Sequence, residues 1–140
     1  MAHLTVNLQS LDDKVKFSAS ARENPEIVID YFPPVGAGEG YTSLELLMAS
    51  FGSCLATTAL TILRHRMRKT VESLSVNVEG TQREEHPKSL ERMHVTLSLT
   101  AKDLTEAEVR QAITVAEEAI CPVWAMIKGN VEVDVDVEIS

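Results

Sequence analysis

Residues 41–69, YTSLELLMASFGSCLATTALTILRHRMRK, decide the fold. Counting from Leu47, the residues Phe51, Cys54, Leu55, Thr58 and Ile62 recur at +4, +7, +8, +11 and +15, along one face of an α-helix. Thr42 followed three residues later by Glu45 is a capping box, in which hydroxyl and carboxylate each take up a backbone N–H that the first turn leaves unpaired. Arg64, His65, Arg66, Arg68 and Lys69 put positive charge at the other end, where the helix dipole favours it. A helix of about 26 residues runs ~39 Å, more than the width of a small domain. The rest of the chain is expected to wrap it and to bury Cys54 midway along.

Composition narrows what the chain can do. Its 140 residues suffice for a core without staples, and a single domain over 1–140 is expected. A net charge of −8 argues against a nucleic-acid partner. No apolar run is read as approaching the ~18 residues of a membrane span. MAHLTVNLQS lacks a charged segment followed by an apolar one, so no signal peptide is expected and a cytoplasmic setting follows. A permanent disulfide is not expected there, which leaves the two cysteines, Cys54 and Cys121, as core residues, metal ligands or redox groups.

On the N-terminal side of the helix, residues 3–9 alternate, with Leu4, Val6 and Leu8 inward. Residues 14–19 alternate again after a polar turn, which gives a hairpin, and residues 26–32 read as a third strand. Pro33, Pro34, Gly36, Gly38 and Gly40 then form a loop. Its GAGEG lacks the Gly-Lys-Ser/Thr ending of a phosphate loop. On the C-terminal side, strands at 71–83 and 93–101 flank a charged loop at 84–92. Thr105 and Glu108 form a second capping box, stapled by Leu104 and Val109. The helix it opens is expected to bury Val109, Ala112, Ile113, Ala116 and Ile120. Cys121-Pro122 ends that helix and starts a short one through Ile127, with Trp124 and Met126 packing inward. Residues 131–139 are a last strand with its acidic residues outward. Strands and helices grouped in this way make an α+β fold.

Three readings of the cysteines compete. Free cysteine is a common buried residue, so both could simply be core. A zinc site is poorly supported, because no ligand pair has metal spacing and the four histidines lie in separate elements. The third reading is a thiol redox pair, one cysteine attacking an oxidant and the other resolving the sulfenic acid. Cys121 at a helix start gains from the dipole, whereas Cys54 lies about 16 Å along its own helix. Local physics therefore selects Cys121 as the more acidic thiol.

SLELLMASFGSC, followed 67 residues after its cysteine by CPVW, resembles the OsmC/Ohr family of osmotically inducible and organic-hydroperoxide-resistance proteins. The resemblance extends over nearly the whole chain. It implies an OsmC-like fold of antiparallel sheets around a long central helix, in an intertwined homodimer with its site at the subunit interface. It also implies that Cys54 attacks a hydroperoxide as thiolate and that Cys121 then closes a disulfide with it. A dithiol such as a lipoyl group reduces that disulfide. No cofactor and no metal is implied. This assignment reverses the order of the two thiols given by local physics.

The chain departs from the family at the electrostatic helpers. Lowering a thiol pKa from ~8.5 to ~6 raises the thiolate fraction at pH 7 about 30-fold, while the loss of nucleophilicity returns roughly 10-fold. Rate must therefore come from charge stabilisation as the O–O bond breaks. Peroxidase members place a glutamate ten residues before the cysteine, where this chain has Leu44. Glu45, nine before, falls on the opposite side of the helix and serves the capping box. The family's arginine has no counterpart among Asp12, Asp13 and Lys14, and Arg22 is the nearest candidate. His65 lies three turns from Cys54, and His86 and His94 read as surface residues. A dithiol peroxidase acting on organic or lipid-derived hydroperoxides is the leading expectation. A non-enzymatic binding or redox-sensing protein holding an apolar ligand is the alternative. A hot-dog-type thioesterase lacks an acid or histidine on the Cys54 face.

Overall fold

The N-terminal alternation yields short strands. In the computed structural model, which describes residues 3–140, β1 (Asn7–Ser10), β2 (Phe17–Ser20) and β3 (Ile27–Ile29) pair antiparallel in that order. Leu4, Val6 and Leu8, expected inward, are exposed, Leu4 by 90 %. Pairing within this sheet uses only backbone edges, and no element of residues 3–46 covers that face. Buried Asp30 organises the following loop by accepting N–H bonds from Tyr31, Ala37 and Glu39. Burial alone would raise its pKa, but those three N–H groups and Lys16 hold it below the ordinary carboxylate value.

The long helix is α1 (Ser43–Thr61), extended by a π turn over Ile62–Arg66. Its capping box is present: Glu45 N–H donates to Thr42 Oγ1 at 3.2 Å and Thr42 N–H to Glu45 Oε1 at 2.8 Å. Within the 24 residues of Ser43–Arg66 an 18-residue window has a mean hydropathy of 1.8, so by length and composition the helix could cross a membrane, and the expectation about apolar runs is corrected. Physically, its apolar side chains have another use: Phe51, Leu55, Ala59 and Leu63 are wholly buried in the core.

The chain divides into two units, Met1–Leu46 and Leu47–Ser140, and the second holds the larger sheet. β4 (Val71–Gln82) and β5 (Leu90–Ala101) are antiparallel, and β5 starts three residues before the expected position. Alternation along β5 buries Met93, Val95, Leu97 and Leu99. Each such side chain stabilises the fold by about 1.5–3 kcal/mol. After β5 the chain crosses over through α2 (Glu106–Val115), a π turn at Ala116–Ile120 and α3 (Pro122–Ile127). That helical crossover returns the chain to the starting end of β5. The last strand, β6 (Glu132–Ile139), is therefore parallel to β5, and the expectation of antiparallel sheets fails here. Because register is constant, each outward residue of β5 faces the residue 40 positions later. Arg92 meets Glu132 at 2.7 Å, Ser98 meets Glu138 at 3.2 Å, and His94 sits between Asp134 and Asp136. The Asp134 contact, with Asp136 beside it, lifts the His94 pKa above the ordinary imidazole value.

Candidate active site

Cys54 and Cys121 come together in the second unit. The Cys121 thiol donates to the Cys54 sulfur at 3.0 Å. Cys54 is half-buried, not enclosed as its mid-helix position suggested, while Cys121 is only 2 % exposed. Gly52 brings α1 close against β4: a Cβ there would lie 3.1 Å from Val78 Cγ2. Thr58 Oγ1 donates to the Cys54 carbonyl at 2.9 Å.

Cys121 is placed by the turn before it. Its N–H donates across five residues to the Ala116 carbonyl at 2.8 Å, which closes the π turn. A π turn inserts one residue into the helical repeat, so it rotates everything beyond it. Val109, Ala112, Ile113 and Ala116 are buried as expected, but Ile120 swings out and is 42 % exposed. In α3 the buried side chains are Trp124 and Ile127, and Met126, expected inward, is 71 % exposed on the other side. Trp124 meets Phe51 edge to face, with ring centroids 5.3 Å apart at 89°. Such a pair is worth about 0.5–1.5 kcal/mol beyond its area.

The acidity expected of Cys121 is also corrected. Burial, then the hydrogen bond with Cys54, pushes its thiol up to about 11, against the smaller help of the Trp124 and Val123 N–H groups. A six-residue helix supplies too little dipole to win.

Of the other candidates, His65 lies in the π turn that ends α1 and is exposed, and His86 lies in the β4–β5 loop. His94 is held by Asp134 and Asp136 on the outer face of the sheet. Arg22 is exposed in a turn at φ 56°. Leu44 is half-buried and Glu45 is held by its cap. Among residues 47–140, Cys121 alone hydrogen-bonds the Cys54 sulfur. Sequence reasoning had not singled out the Phe51–Trp124 pair, although both residues stand three positions from a cysteine.

Comparison with known proteins bears on the family and the fold. The family model for OsmC-like protein matches residues 36–136. The Escherichia coli K12 protein YhfA is 27 % identical over 90 residues, which span 64 % of this chain and 66 % of that one. A hypothetical protein from Aquifex aeolicus VF5 superposes with a TM-score of 0.85 at 26 % identity, covering 100 % of this chain and 98 % of the other. An organic hydroperoxide resistance protein from Elizabethkingia anophelis superposes with a TM-score of 0.74 at 16 % identity, covering 100 % and 98 %.

Proposed function

The chain belongs to the OsmC-like protein family, and on that premise we propose that it is a thiol-dependent peroxidase reducing organic hydroperoxides through Cys54 and Cys121. The observation that carries this reading is the 3.0 Å approach of the two sulfurs, with Cys121 as proton donor. Cys121 keeps its proton and is buried, so the attacking role falls to half-buried Cys54. The Cys54 thiolate takes the outer oxygen of the hydroperoxide, the O–O bond breaks, and the alkoxide leaves with a proton as alcohol. The Cys54 sulfenic acid then condenses with the Cys121 thiol, releasing water. The sulfurs need to close by about 1 Å to reach disulfide length. A dithiol of the cytoplasm, such as a lipoyl group, restores both thiols by exchange. The fold shared with a hydroperoxide resistance protein supports the substrate class.

The test is consumption of tert-butyl or cumene hydroperoxide in the presence of a dithiol. Turnover is expected to fall to background in Cys54→Ser and to be lost as a cycle in Cys121→Ser. Undiminished turnover in Cys54→Ser overturns the proposal. One observation favours the second reading, a slow redox sensor: among residues 47–140 no cation hydrogen-bonds Cys54 to stabilise charge on the leaving oxygen. In that case the disulfide forms stoichiometrically and no turnover follows.

We also infer a homodimer. Ten large apolar residues from Leu4 to Tyr41 are exposed, and a second copy of the chain would give them a surface to cover. Sedimentation at twice 15.4 kDa is expected; a 15.4 kDa species at micromolar concentration contradicts it.

A further inference from the structure

Two contacts join the helices that carry the cysteines. Phe51 precedes Cys54 by three residues on α1, and Trp124 follows Cys121 by three on α3, so each ring stands about one turn from its sulfur. The sulfurs meet at 3.0 Å and the rings meet at 5.3 Å, both rings being buried. The ring contact, about one turn from the sulfur contact, opposes rotation of α3 about Cys121. We propose that Phe51 and Trp124 are positioning residues that hold Cys121 within reach of Cys54, and so decide whether oxidised Cys54 closes a disulfide or is oxidised further.

The chemistry supplies the competition, and in this respect the inference rests on the peroxidase reading. Cys54 sulfenic acid has two fates. It condenses with the Cys121 thiol, forming the S–S bond and releasing water. Otherwise its sulfenate attacks a second hydroperoxide, gaining an oxygen as sulfinate while the hydroperoxide leaves as alcohol. The first fate is intramolecular and depends on how much of the time the two sulfurs stay in register. The second depends on peroxide concentration alone. Loosening the ring pair shifts the ratio toward sulfinate. It also slows disulfide closure by any two-electron oxidant.

The experiment compares wild type with Trp124→Leu, Phe51→Leu and Trp124→Phe. In one arm each protein meets excess cumene hydroperoxide, and mass spectrometry reads the ratio of sulfinate to disulfide. In the other arm diamide closes the disulfide without peroxide chemistry, accepting two electrons and two protons. The two leucine variants are expected to raise the sulfinate-to-disulfide ratio about tenfold and to slow diamide closure similarly. Trp124→Phe keeps an edge-to-face partner and is expected to restore both to within about twofold of wild type. Unchanged diamide closure in a folded leucine variant overturns the clamp, whatever the peroxide arm shows. A diamide effect without any hydroperoxide reaction in wild type leaves the clamp standing and removes the peroxidase reading. Trp124 is the only tryptophan, so wild type carries its own reporter if the leucine variants do not fold. Diamide oxidation is then expected to change Trp124 emission, and unaltered emission on full disulfide formation overturns the coupling.

Discussion

In Cys54→Ser protein at pH 7.5, Cys121 is expected to react with Ellman's reagent at least tenfold more slowly than in the same protein unfolded in urea. The thiol is pushed from 9.0 to about 11, and below both values each unit removes a tenfold share of thiolate, about 100-fold in all. A more basic thiolate attacks faster, which returns roughly tenfold. Its 2 % exposure then slows access further. The substitution removes the Cys54 thiol but leaves burial, the larger cause, in place. The pH profile carries the same information. Labelling is expected to climb tenfold per unit through pH 9, where an ordinary thiol is levelling off. Rapid labelling at pH 7.5, or a plateau by pH 9, would restore Cys121 as an acidic helix-start thiol and make it the better candidate for attack.

That contrast shows which parts of the site were legible in the sequence. Both capping boxes were, because Thr42 with Glu45 and Thr105 with Glu108 depend only on residues three apart. Alternation in β4 and β5 was legible for the same reason. The π turns were not: a helix that gains one residue per turn keeps its composition and changes only its phase. Ile120 was misplaced on that account. The thiol order depended on burial of Cys121 by distant parts of the chain, and no local rule supplies that. The sulfur contact joins residues 67 apart. Spacing left it open, and only resemblance to a known family suggested it. The exposed Leu4–Val6–Leu8 face follows the same logic: alternation shows that a face is apolar, not which surface covers it.

The Gly/Pro-rich loop after β3 was legible as a loop, but not which glycine it cannot lose. A Cβ on buried Gly36 would stand 2.3 Å from the Tyr31 carbonyl oxygen and 2.4 Å from Asp30 Oδ1, inside any allowed contact. Neither neighbour can yield cheaply. The Tyr31 carbonyl accepts from Gly38 N–H at 3.0 Å, and the Asp30 carboxylate accepts from Tyr31, Ala37 and Glu39. Gly36→Ala therefore has to open the loop, and is expected to cost on the order of 3 kcal/mol, the upper end of overpacking penalties. In a protein of this size that is a fall in Tm of roughly 6–12 °C. Gly129→Ala is the matched control. Gly129 has φ 92° but nothing within 4 Å of its Cβ position, so Gly129→Ala should cost only the backbone strain it introduces, about 1–2 kcal/mol. Hydrogen exchange at Ala37 and Glu39 should accelerate in Gly36→Ala and stay slow in Gly129→Ala. Equal losses in the two variants, or a Gly36→Ala protein as stable as wild type, would show that the loop repacks around the methyl group and that Asp30 does not hold it.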